Sequence, residues 1–156
     1  MKIQIERANL EDAAEILALQ KLAYLSEARI YDDFTIPPLL QTLEETVAEF
    51  DTQVFLKITE AGRIIGSVRA CLDQDACYIG KLIVHPDFQN QGLGTRLLNE
   101  IEARFNQAKR FELFTGHQSK RNLHVYRKMG YNIFSSEPAT KNLTMVFLEK
   151  MKAPGT

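Results

Sequence analysis

The chain reads as an α+β fold, a mixed and mostly antiparallel sheet flanked by helices, and three observations predict it. Apolar positions switch along the chain between a two-residue and a 3.6-residue period. Three segments rich in β-branched and aromatic residues, "QVFLKITE", "RIIGSVRACL" and "ACYIGKLIV", follow one another across the turn-forming "AGR" and "DQD", as in an antiparallel meander. The last of them is joined to "RFELFT" through a helical stretch. That β-α-β unit makes its two strands parallel neighbours under a right-handed crossover.

Taken in order, "KIQIER" alternates as a strand. Asn9 then precedes "LEDAAEILALQKLAYL" with Asp12 three residues on, a capping-box arrangement that opens the first helix. A second helix starts at the proline pair of "YDDFTIPP", with Leu39, Leu43, Val47 and Phe50 spaced as one apolar stripe. After the meander, residues 93–108 return to helical spacing with Leu97, Leu98, Ile101 and Phe105 on one side. "RFELFT" is a strand, "SKRNLHVYRKM" a helix that Gly130 terminates, and "YNIF" and "LTMVFLE" are closing strands. The order is βααβββαβαββ, about seven strands and four helices in a single domain over residues 1–156.

Composition narrows the function. Hydrophobic residues at 45% and charged residues at 25% are ordinary globular values. Nineteen Lys and Arg against twenty Asp and Glu leave no electrostatic footprint for nucleic acid. No apolar run is long enough to cross a bilayer, and the acidic start lacks the apolar stretch of a secretory signal, so a cytoplasmic protein is expected. Cys71 and Cys77 flank "LDQDA" and could face each other across a hairpin, but free thiols are expected in a reducing compartment. With His85, His117 and His124 scattered, no metal site is expected.

The informative stretch is "VHPDFQNQGLGTRLL", residues 84–98. It runs from the C-terminal end of an apolar strand through a polar loop into a helix, the place where α/β sheets bind ligands and where helix N–H groups favour phosphate. No Lys followed by Ser or Thr comes after a glycine, which excludes a P-loop. Leu97 stands where a dinucleotide fingerprint would place its third glycine. What stands instead, Gln89-Asn90-Gln91-Gly92-Leu93-Gly94-Thr95, resembles the Q/R-x-x-G-x-G/A signature of the GNAT acetyltransferases. "KLIVHPDF" upstream is similar to the family's strand with Pro two residues past a Val. "NLHVYRKMGY" downstream is similar to its second signature, Tyr four residues before Gly.

The resemblance implies acetyl-CoA as cofactor, its pyrophosphate on the backbone N–H groups from Gln91 to Thr95, with Gly92 and Gly94 allowing close approach. It implies a splay between the strand holding Leu82, Ile83 and Val84 and the strand holding Phe111–Thr115, where the pantetheine arm and thioester would lie. Tyr126 is then the proton donor to the departing CoA thiolate, although its spacing alone also fits a tyrosine packed on the core. Two departures from the family pattern matter. Ser119 stands where many members begin the last helix with Asn, with Asn122 downstream, so contact to pantetheine falls to Ser119 and Asn122; and "YIGKLIV" lacks the strand carboxylate that several members use as base. Glu27, Asp32, Asp33, His117 or a water chain remain open for that role, with His117 slightly preferred for following the strand at the split.

The segment between the first two helices borders the acceptor side in the family. Here it holds Tyr31 and Phe34 beside Glu27, Asp32 and Asp33, an aromatic and acidic rim that suits a cationic amine. The expected activity is acetyl transfer to a primary amine of a small molecule or peptide by a monomer or homodimer. A module that only binds or senses acyl-CoA is the alternative.

Overall fold

The structure is a computed structural model that describes residues 2–152. One seven-stranded sheet is formed by β1 (Gln4–Arg7), β2 (Val54–Glu60), β3 (Arg63–Asp73), β4 (Ala76–Val84), β5 (Arg110–Gly116), β6 (Asn132–Pro138) and β7 (Thr144–Met151), in the spatial order β1-β2-β3-β4-β5-β7-β6. Only β4 and β5 are parallel. This is the predicted mixed, mostly antiparallel fold, with the crossover where the sequence placed it.

The helices number six among the described residues rather than four, because each of the two front helices is broken. The first divides at Tyr24 into α1 (Ala13–Ala23) and α2 (Leu25–Tyr31). The second divides into α3 (Pro37–Leu40) and α4 (Leu43–Glu49). Gln41 and Thr42 leave helical geometry at ψ 136 and 163 so that Thr42 can cap α4. Its Oγ1 accepts from the Glu45 N–H at 3.1 Å, and the Glu45 carboxylate accepts from the Thr42 N–H at 2.9 Å. The expected stripe is lost with this break, since Leu43 is 46% exposed. The Asn9 cap does form, with Asn9 Oδ1 accepting from Glu11 N–H at 3.0 Å and Asp12 from Asn9 N–H at 2.9 Å.

Two clusters cover the two faces of the sheet. Leu56, Val68, Ile79 and Leu113 pack under Leu97, Leu98 and Ile101 of α5 (Leu93–Arg104), with Tyr126 of α6 (Lys120–Lys128) in the same core. Adjacent residues of a strand point to opposite sides; Phe55, next to Leu56, accordingly joins Ile64 and Ile83 under Ile16 and Leu19 of α1. Cys71 pairs with Tyr78 and Cys77 with Leu72, an offset of one residue that sends the two free thiols to opposite faces.

The sheet opens in one place. Parallel pairing of β4 with β5 stops after Ala76–Arg110, Cys77–Phe111 and Tyr78–Glu112, leaving Ile79–Val84 and Leu113–Gly116 with no ladder between them. A bulge bends β4 at that point. Ser67 pairs with Ile83 and Arg69 with Gly80, so Val68 of β3 faces two residues of β4, Lys81 and Leu82, and Lys81 takes φ 46. The extra residue increases local twist and turns the strand end away from its neighbour.

Candidate active site

The loop after β4 presents its backbone to this opening. Asn90 and Gly92 both have positive φ, 64 and 78, and Gly92 is the N-cap of α5. The first helical bond joins the Arg96 N–H to the Gly92 carbonyl at 3.1 Å, so the N–H groups of Leu93, Gly94 and Thr95 have no acceptor within the helix. They point outward at the positive end of a helix dipole. Gly92 is required by its backbone angle, since an added Cβ would meet nothing within 4 Å. Gly94 has no such need. An added Cβ there would touch only Leu82 Cδ2 at 3.8 Å, so nothing within the chain demands glycine and the open side suits a close ligand. The Gln89 amide anchors the loop by donating to the Val84 carbonyl at 3.3 Å, and Arg121 of α6 donates to Gln89 Oε1. Gln91 is exposed.

Along the split, Leu82 and Val84 pack toward the α5 core and Ile83 toward α1. What these three residues can offer a ligand is therefore backbone. Asn122 donates to Thr115 Oγ1 at 3.2 Å, which ties α6 to the β5 side of the opening. Tyr126 is 5% exposed. Burial pushes its phenol above the ordinary range, with the charges of Tyr24 and Glu27 adding to the effect. It is a neutral O–H at physiological pH. Among the described residues that hydroxyl makes no hydrogen bond, so it is free to donate to a ligand.

The α2 side of the opening is assembled by a short relay. Gln118 N–H donates to the Tyr31 hydroxyl at 2.9 Å, which leaves the Tyr31 proton for Ser119 Oγ at 2.7 Å and the Ser119 proton for Glu27 Oε1. Gly116 makes room for this arrangement: a Cβ there would lie 2.0 Å from the Tyr31 hydroxyl. Glu27 is thus held in one orientation on α2, close enough to raise the phenols of Tyr24, Tyr31 and Tyr126. Ser119 spends its hydroxyl here, on the α2 side, and makes no side-chain cap of α6.

The other rim residues sit apart from this relay. Asp32 caps α2 in the left-handed region at φ 50. Asp33 accepts from Thr35 Oγ1 at 2.6 Å and Thr35 N–H at 2.8 Å, bonds that hold its carboxyl below the usual range. Phe34 is 52% exposed. His117 lies on the β7 flank of β5, its Nδ1 accepting from the Thr144 N–H at 3.0 Å, and shares a shallow cavity with Tyr31, Asp32 and Asn142. Two functional candidates escaped sequence reasoning. Tyr24 lies at a break within the stretch expected as one continuous helix, and Arg121 meets Gln89 only through the fold.

The acetyltransferase (GNAT) family model matches residues 15–131. Among curated proteins, the UPF0157 protein YqkA of Bacillus subtilis is 26% identical over 133 residues, 85% of this chain and 38% of YqkA, so the chain spans well under half of that relative's length. A Streptococcus pneumoniae acetyltransferase of the GNAT family superposes with a TM-score of 0.76 at 25% identity, covering 97% of this chain and 100% of that one. The PaiA N-acetyltransferase of Thermoplasma acidophilum, solved in complex with coenzyme A, superposes with a TM-score of 0.78 at 16% identity over 97% of this chain and 100% of that one.

Proposed function

Because this chain belongs to the GNAT family of acetyltransferases, we propose that it moves an acetyl group from acetyl-CoA to a primary amine, and that the β4–β5 split is where it does so. One observation carries the reading: the sheet opens between β4 and β5 where the loop that frees the N–H groups of Leu93–Thr95 begins, and α6, tied to β5 at Thr115 by Asn122, carries Tyr126, whose hydroxyl makes no hydrogen bond among the described residues. The residues present fit the acetyl donor. Leu93, Gly94 and Thr95 would supply N–H groups to its pyrophosphate, and the edge of Ile79–Val84 that does not pair with β5 would supply groups to its amide arm.

This chain's side chains then handle two protons. Glu27 attracts the acceptor ammonium and takes its proton, directly or through water, so that the neutral amine can attack. As the new C–N bond forms and the C–S bond breaks, Tyr126 donates its O–H to the leaving sulfur and regains a proton from solvent, while the acylated nitrogen gives up its second proton to solvent. The proton left on Glu27 passes to solvent. Geometry favours Glu27 over His117 as the base, since Glu27 is aimed by Ser119 while His117 is spent on the β7 backbone.

The test is thiol release from acetyl-CoA with matched amines, alcohols and carboxylates as acceptors. Amines alone are expected to accelerate release. A faster rate with alcohols would reject the amine assignment, and tight acetyl-CoA binding with no transfer to any acceptor would favour a sensing module.

A further inference from the structure

A second polar cluster lies beside the split, on the face covered by α1 and α4. Arg69 of β3 is 1% exposed. Its guanidinium stacks on Phe55 at 4.4 Å and donates to Gln20 Oε1 at 2.8 Å and Glu49 Oε2 at 3.1 Å. Its Nε is buried with no partner among the described residues. Lys81, at the β4 bulge, brings a second cation to the same carboxylate, Nζ lying 3.7 Å from Glu49 Oε1. That is outside hydrogen-bond range. Glu49 is already saturated, its oxygens accepting from Arg69, Gln41 and Gln53. Two cations thus share one carboxylate in a largely desolvated place.

The backbone points the same way. Lys81 holds φ 46 at the β4 bulge, a conformation that persists in a non-glycine residue only where the surroundings over-determine it. Gly80, directly across from Arg69 in the ladder, has no positive φ, and a Cβ there would meet nothing within 4 Å. Neither backbone angle nor packing explains glycine at that position; room for a ligand does. Tyr24, at the break between α1 and α2, has its phenol pushed to about 12 by burial, with Glu27 raising it and Arg69 lowering it.

We propose that the acceptor carries a carboxylate or similar anion a few bonds from its amine, an amino-acid type of substrate, whose anion sits over Gly80 and bonds Lys81 while Glu27 receives the ammonium. The inference rests on amine transfer at the split and names the acceptor class. Burial and the nearby Arg69 hold the Lys81 ammonium below its ordinary value, only partly offset by Glu49 and Glu45; a bound anion would add to that offset.

The experiment compares thiol release for amino acids and for the same molecules without the carboxylate, in the unaltered protein, Lys81→Gln and Lys81→Arg. Lys81→Gln should raise the amino-acid KM roughly ten- to hundredfold, the range for a hydrogen bond to a charged group. The carboxylate-free amine should lose far less than the amino acid, and Lys81→Arg should restore part of the amino acid's loss. Equal or better turnover of the carboxylate-free amines, or an amino-acid KM indifferent to Lys81→Gln, overturns the proposal and leaves amine transfer standing. Failure of every amine removes both. Thermal unfolding of the variants separates misfolding from lost binding.

Discussion

The two sides of the split are made of different material. On the α5 side the groups proposed to meet the ligand are backbone: N–H groups of Leu93, Gly94 and Thr95 and the edge of β4 that no longer pairs with β5. On the α2 side the groups proposed to meet the acceptor are side chains brought from distant positions, Glu27 aimed by Ser119 and Tyr31, and Lys81 beside Glu49. A backbone site needs only glycines and a bulge at set places and can serve one invariant ligand. A side-chain site can be rebuilt residue by residue without disturbing the sheet, which is how one fold accommodates many acceptors.

The contrast can be broken most sharply at Tyr126, the one side chain that must serve both sides. Tyr126→Phe is expected to lower kcat about a hundredfold, the lower end for positioned proton donors, with the KM for acetyl-CoA nearly unchanged. An unchanged kcat would return Tyr126 to core packing. A smaller effect is expected on the backbone side. Gly94→Val should weaken acetyl-CoA binding by about tenfold, roughly 1.4 kcal/mol, while the melting temperature hardly moves, because the new Cβ meets only Leu82. Calorimetry with a thermal scan reads both quantities, and a loss of stability equal to the loss of binding would show that Gly94 serves folding. The smallest effect should come from the outer rim. Asp32→Asn with Asp33→Asn is expected to raise the amine KM by about threefold or less, as for exposed charges, whereas Glu27→Gln raises it by about tenfold or more, as for a hydrogen bond to a charged group. A larger effect from the Asp pair would move the ammonium site outward.

Much of the backbone side was legible because it is written in local sequence. Gln89–Thr95 lies between a strand and a helix, and the β-α-β unit that opens the split is contiguous. The front half was less legible. The break at Gln41 was signalled by Thr42-x-x-Glu45, a capping box that an apolar stripe drawn through Leu43 ignores. The break at Tyr24 has no comparable sign in the helical spacing of residues 13–31. The Glu27 relay could not be read at all, since it joins residues up to 92 apart whose proximity is set by how α2 lies over Gly116. The setting of Lys81 could not be read either, because nothing local reveals a bulge that depends on the register between β3 and β4.

The account stands or falls on acetyl-CoA entering the β4–β5 split from the loop side. Hydrogen exchange, followed by mass spectrometry with and without saturating acetyl-CoA, tests this directly. Slowed exchange is expected at Leu93–Thr95 and along Ile79–Val84, with α3 and α4 unchanged. Protection confined to the front helices, or none at the loop and the split, would contradict it.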